Sequence, residues 1–278
     1  MIAFVILHYL AFEDTCECVS SIMERVGTND YKIIVVDNNS LDDSYKKLKD
    51  KYINSDKIIL IHNNDNLGFA KGNNVGFKYA KENLNPNYIV LCNNDVCLIQ
   101  DSFYNQVDKF YKETNFDVMG PKIKTKDGLL TSNPEDEGHV FTEKQINHLI
   151  FRFTKSYILN ALFIKESKKK SVKKIINEVK KDVILHGSFL VFSKNYISKF
   201  DGLDPRTHMY LEEDILYLHL VKNNMSSYYN PNITIYHKED ASTNKAMNSN
   251  RKKKMFIAKN TICSLKVYKR ILNEYKWY

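Results

Sequence analysis

The sequence has no apolar run approaching the ~20 residues that a membrane span requires. Its longest such stretch, residues 1–12, contains His8. That stretch has neither a basic leader region nor a small-residue cleavage site, so it reads as a first strand rather than a signal peptide. Cysteine is also sparse. Cys16, Cys18, Cys92, Cys97 and Cys263 form no C-x₂-C pair and no even disulfide set. A reducing cytoplasm is the expected compartment. There is no G-x-G-x-x-G, which disfavours a dinucleotide fold, and no internal repeat. The net charge is +8, yet residues 251–278 hold nine Lys/Arg and one acid, Glu274. The first 250 residues therefore sum to zero. That argues against a nucleic-acid-binding core and for a surface-docking tail.

What is present is an alternation. Apolar residues make up 43% of 278 positions, enough for one large α/β domain or two small ones. Strands are expected at 3–7, 33–36, 57–61 and 88–92, each a short unbroken apolar run. Helices are expected at 13–26, 41–52 and from the loop at 63–76 to about Glu82. Four strand–helix alternations in under a hundred residues specify a right-handed parallel sheet. Three of the strands stop at ligand-type residues: His8 and Tyr9, then Asp37, then Asn93-Asn94-Asp95. Open α/β sheets bind ligands at the carboxyl ends of their strands. Hard oxygen donors there suit Mg²⁺ or Mn²⁺ and a phosphate-bearing substrate. The plain alternative is turn chemistry, for which N-N-D is ordinary.

The second half is less regular. A helix is expected at 100–114, a strand at 118–123, a hairpin turn at Asp127-Gly128 and an acidic flexible loop at 132–139. Residues 142–182 carry ten lysines and read as a basic helical insertion covering the site, or as a solvated one. Residues 183–192 read as a strand broken at Gly187-Ser188, where glycine marks close approach of a ligand or backbone. Glu212-Glu213-Asp214 opens a helix. Residues 233–237 form a last strand ending in His237. Residues 251–278 close the chain as an amphipathic helix with Met255, Ala258, Ile262, Leu265, Tyr268, Leu272 and Tyr275 along one stripe.

The ordered series V-D-N-N-S (36–40), N-L-G-F-A-K-G-N-N-V-G (66–76), L-C-N-N-D-V (91–96), E-D (213–214) and I-Y-H-K-E-D-A-S (235–242) resembles inverting glycosyltransferases of family 2, which have the GT-A fold. Among these it is similar to bacterial enzymes of surface-polysaccharide synthesis, including rhamnosyltransferase-like members. The resemblance implies a mostly parallel sheet flanked by helices over residues 1–242, with 243–278 a separate basic helix. It implies a nucleotide-diphosphate sugar donor and a glycan or lipid-linked glycan acceptor.

Residue by residue, Asp37 matches the acid that accepts a hydrogen bond from the nucleotide base, with Tyr9 placed to stack and Asn39 nearby. Gly68, Lys71 and Asn73 match the segment beside ribose and phosphates, Gly72 with them. Asn93-Asn94-Asp95 stands at the D-x-D position, with an amide in place of the first acid. That leaves the metal to Asp95 and gives Asn93 and Asn94 to the nucleotide sugar. Glu213-Asp214 matches the acid pair that supplies the base, with Asp214 expected in that role and Glu213 supporting it. His237 matches a histidine that completes the metal site in several members; a structural role stays open. Gly187 and Ser188 are expected to line the acceptor site.

Two other classes are open. A nucleotidyltransferase that makes activated sugars is disfavoured, because H-Y-L-A-F follows the first strand where a glycine-rich phosphate loop belongs. A silent nucleotide-sugar-binding scaffold is the other. The tail is expected on the anionic inner face of the cell membrane, on its own domain, or in a homodimer.

Overall fold

The computed structural model describes residues 1–125, 133–162, 176–238 and 250–275. Its amino-terminal half is the expected alternation: β1 (Ile2–His8), α1 (Phe12–Arg25), β2 (Tyr31–Asp37), α2 (Ser44–Tyr52), β3 (Ile58–His62), α3 (Gly68–Leu84) and β4 (Tyr88–Asn93). These strands lie parallel in the spatial order β3-β2-β1-β4. The runs are unbroken because both sheet faces are covered. Phe4, Ile33 and Val90 face one apolar cluster, and Val5, Ile34 and Leu91 face the other. Each such side chain, fully buried, contributes roughly 1.5–3 kcal/mol.

Strand register then sets the site. His8 lies opposite Asp37, and Leu7 opposite Asn93, so the polar ends of β1, β2 and β4 share one edge. Asn94 and Asp95 turn the chain directly into β5 (Val96–Leu98), which three residues alone did not announce. Next come α4 (Phe103–Thr114), β6 (Val118–Thr125), β7 (Asp136–Glu137), α5 (Glu143–Ala161), β8 (Lys180–Lys181), β9 (Val183–Ile184), β10 (Phe189–Ser193), α6 (Lys194–Lys199), α7 (Glu212–Lys222), β11 (Ser227–His237) and α8 (Asn250–Glu274). The sheet continues past β4 as β10-β6-β11-β5, with β10 antiparallel to both neighbours and β8 on the side of β11. β11 is longer than expected. Its register shifts between Asn230 and Thr234, around Pro231, which interrupts an otherwise readable strand.

One expectation changes. Residues 132–139 are not wholly loop, because β7 pairs antiparallel with β9. The expected turn at Asp127-Gly128 lies outside the described residues. The insertion begins with α5, held at its start by a reciprocal cap: Gln145 N donates to Thr142 Oγ1 and Thr142 N donates to Gln145 Oε1 at 2.8 Å. Such a cap contributes about 1 kcal/mol.

The tail helix is not a detached appendage. Leu265, Tyr268, Ile271 and Leu272 of α8 pack against Ile146 of α5 and Ile215 and Leu218 of α7 as a third apolar cluster. The apolar stripe expected to meet a membrane is therefore spent inside the protein. Tyr268 is fully buried, and its hydroxyl accepts the Phe141 N–H at 3.1 Å. Tyr268→Ala is expected to cost about 3–5 kcal/mol in denaturant unfolding. A loss below about 1 kcal/mol would mean that α8 is not seated there.

Candidate active site

The edge formed by β1, β2 and β4 is a connected polar network. His8 is fully buried, with Nδ1 2.7 Å from Thr15 Oγ1 and Nε2 2.9 Å from Ser44 Oγ. Burial lowers its pKa, although the Asp37 and Asp42 carboxylates oppose that shift. A neutral imidazole follows. Asn94 Nδ2 donates to the same Thr15 hydroxyl at 3.1 Å, so the turn after β4 is tied to the end of β1.

Asp37 is fully buried at the end of β2. Its Oδ2 lies 2.7 Å from His62 Nδ1, and both its oxygens accept the Ser40 N–H at 3.3 Å. Asn39 takes a left-handed backbone, φ 62°, in that turn. The turn expected as the plain alternative is thus present together with the buried acid. His62 stacks on Tyr45, ring centroids 4.7 Å apart. Neither His62 nor Tyr45 was singled out in the sequence. The signal for His62 was available, since it ends β3 as His8 ends β1.

Asn38 next to Asp37 anchors the loop before α3. Its Nδ2 donates to Asn66 Oδ1 and Gly68 O, and its Oδ1 accepts the Leu67 N–H at 3.0 Å. Gly68 has φ +79°, and a Cβ there would strike His208. Gly72 is pressed against Leu7 in the same way, so both glycines are accounted for by packing. Lys71 and Asn73, expected beside the nucleotide, lie in the first turns of α3. Lys71 lines a cleft of about 460 Å³ between α3 and residues 200–205. Asn73 is buried and turns back to donate to Phe69 O. Tyr9 follows β1, half-buried.

Asp95 and His237 meet across 142 residues of sequence. β5 carries the chain out of the N-N-D turn, and its antiparallel pairing with β11 sets His237 opposite Val96. Asp95 Oδ1 then lies 3.1 Å from His237 Nε2, both groups buried. His237 Nδ1 is buried with no partner among the described residues. Asn93, half-buried, uses its backbone N–H to bond Ser188 O at 2.9 Å. His186, not foreseen, stands against His237 with ring centroids 5.8 Å apart, and its Nδ1 accepts the Ser188 N–H at 3.2 Å.

The third wall is the acid triplet opening α7. Glu213 Oε1 accepts the Gly187 N–H at 3.1 Å, and a Cβ at 187 would occupy that oxygen's place. The glycine is required by close approach of a side chain. This bond joins the triplet to the Gly187-Ser188 segment, and through Ser188 to Asn93. Burial raises the Glu213 carboxyl. Asp214 lies within electrostatic reach of His139 and Asp136. Burial, then the Glu213 charge, raises its carboxyl to about 7. Glu212 is the most enclosed of the three. Burial followed by the Glu213 charge raises it to about 7 as well, and its Oε1 has no hydrogen-bond partner among the described residues. Tyr210 and Leu211, just ahead, hold φ values of 73° and 66°. Non-glycine residues in that region cost ~1–3 kcal/mol each and cluster where surrounding structure fixes a functional geometry.

The buried acid has a consequence for stability. Between about pH 4.5 and 7 the folded state holds a proton on Glu212 that the unfolded state has lost, so stability falls as pH rises through that window. Glu212→Gln is expected to gain on the order of 1–3 kcal/mol at pH 8 and little at pH 4. Equal effects at both pH values would contradict an enclosed carboxylate.

Residues 4–197 match the sequence profile of glycosyl transferase family 2. The chain belongs to that family. It is 24% identical over 214 residues to Agl10 of Haloferax volcanii, named as a low-salt glycan biosynthesis hexosyltransferase, covering 76% of this chain and 59% of Agl10. By structure it resembles S. aureus TarS 1–349 in complex with UDP-GlcNAc, at TM-score 0.56 and 15% identity over 86% of this chain and 58% of that one. It also resembles GalNAc-T7 with UDP, GalNAc and Mn²⁺, at TM-score 0.59 and 12% identity over 86% and 44%. These structures share the fold, a mostly parallel central sheet flanked by helices. The chain spans under two thirds of the length of these relatives. Among the described residues no helix is long and apolar enough to cross a membrane.

Proposed function

We propose that this family 2 chain transfers a hexosyl group, with inversion, from a nucleotide-diphosphate sugar to a hydroxyl of a glycan or lipid-linked glycan. The observation that carries the reading is convergence. Asp37, the Asn93–Asp95 turn with His237, and the Gly187-Ser188 segment held by Glu213 lie at the ends of neighbouring strands, and the Asn93 N–H bonds Ser188 O.

Asp37 receives the imide N–H of a uracil, the base carried by the TarS and GalNAc-T7 ligands. His62 holds that carboxylate in place and Tyr9 covers the base. Asn39, Asn93 and Asn94 supply amide contacts to ribose and diphosphate, with the Gly68 backbone beside them. Asp95 and His237 fit a divalent cation. They would hold it with one carboxylate and one imidazole, and the unpartnered His237 Nδ1 marks a histidine not committed to a purely structural network. Mn²⁺ or Mg²⁺ bound there supplies positive charge to the departing diphosphate.

Asp214 takes the acceptor proton. Its carboxyl titrates near the operating pH, where a general base works best, whereas one oxygen of Glu213 is already occupied by the Gly187 N–H. Glu213 fixes the segment in which Gly187 and Ser188 face the acceptor. The hexosyltransferase name of Agl10 supports transfer of a hexosyl group, a class that includes rhamnosyl. A cytoplasmic setting agrees with five free thiols.

The test is a panel of nucleotide sugars assayed for nucleotide release with Mn²⁺. One or more UDP-hexoses is expected to be turned over. Asp37→Ala is expected to raise the donor KM with little change in kcat at saturation. No release from any donor would remove the enzyme reading and leave a scaffold. An unchanged donor KM would return Asp37 to a turn residue.

A further inference from the structure

α5 and α8 lie antiparallel on the surface of the domain. Arg251 Nη1 donates to Ala161 O near one end, and Lys269 Nζ donates to Asn147 Oδ1 near the other. Their inward faces form the third apolar cluster. The outward face of α5 is unusual for a surface. Phe151, Ile158 and Leu162 are 68%, 49% and 64% exposed. Separations of seven and four residues set them on one side of the helix, and Lys144 and Lys155 share that side. On α8, Lys252, Lys259, Lys266 and Arg270 are exposed and likewise share the side away from the cluster.

Across both helices eleven Lys/Arg stand against two acids, and both acids are already paired, Glu143 with Lys269 and Glu274 with Arg206. An apolar stripe beside the exposed Lys144, Lys155, Lys252, Lys259, Lys266 and Arg270 matches an anionic lipid surface. Aromatic and aliphatic side chains enter the headgroup boundary, while the lysines meet phosphates within a Debye length.

We infer that this two-helix slab docks on an anionic bilayer through the outer face of α5. The inner faces of the slab pack on Ile215 and Leu218 of α7, whose first turn carries Glu213 and Asp214. Docking would hold the acid side of the site beside a lipid-linked acceptor. That acceptor half rests on the proposed transfer; the docking does not.

The experiment is co-sedimentation of the full chain with phosphatidylcholine vesicles, with and without phosphatidylglycerol, at physiological ionic strength. Binding is expected only to the anionic vesicles. Phe151→Ser, Ile158→Ser and Leu162→Ser together are expected to weaken it at least ~10-fold, with the melting temperature unchanged. Lys144→Glu with Lys155→Glu, two exposed positions, should weaken it independently. Nucleotide release in solution should stay at the wild-type level in both variants, so loss of docking and loss of transfer are read separately. Absence of wild-type binding, or wild-type binding by both variants, overturns the inference. So does a wild-type dimer that the serine variant dissolves, which would make the occupant a second copy of the chain.

Discussion

Asp214→Asn is expected to fold, bind UDP normally and lose about two to four orders of magnitude in kcat, the range that general-base catalysis supplies. The substitution keeps size and hydrogen bonding and removes only basicity. Its effect should fall on turnover rather than donor affinity, because the proton moves only as the acceptor oxygen attacks. The wild-type rate carries a matching signature. With the Asp214 carboxyl raised to about 7 by burial and then by the Glu213 charge, the ionised form is lost as pH falls below that value. The rate should fall tenfold per pH unit on the acid side. Glu213→Gln keeps an oxygen for the Gly187 N–H and is expected to be the milder change. If Glu213→Gln is the inactive variant and Asp214→Asn is not, the two roles are exchanged. If both stay active, the triplet only starts a helix.

Asp95→Ala should be nearly as damaging, about 10²–10³ in kcat, the usual consequence of removing an electrostatic stabiliser of developing charge. It should also abolish any Mn²⁺ dependence of UDP affinity, a readout independent of turnover. His237→Ala, which leaves Asp95 in place, should raise the Mn²⁺ concentration required by roughly tenfold or more. Full wild-type activity in chelator would sink the metal assignment. An unchanged Mn²⁺ requirement in His237→Ala would make the 3.1 Å contact structural.

The parallel half of the sheet was legible because burial on both faces writes itself as unbroken runs such as Ile33–Val36, ending where polar residues reach the edge. Asp37 and Asp95 were legible for the same reason, each being the first acid beyond such a run. Spacing could not show that Asp95 meets His237, because that contact depends on β5, three residues long, pairing with the far end of β11. The tail shows a different limit. An amphipathic stripe announces that one face is covered, but a bilayer and a neighbouring helix ask for the same residues. Leu265 and Tyr268 were read as an apolar stripe with three rival surfaces, membrane, own domain or second copy, and they pack on α5 and α7 of their own domain.

The central claim is single displacement at an edge where Asp214 takes the proton. Nuclear magnetic resonance of the product made from an α-linked UDP-hexose tests it most directly. The account predicts a β-linked product, formed by wild type and missing in Asp214→Asn. An α-linked product, or no sugar transferred while UDP is released at the same rate with and without acceptor, would contradict it.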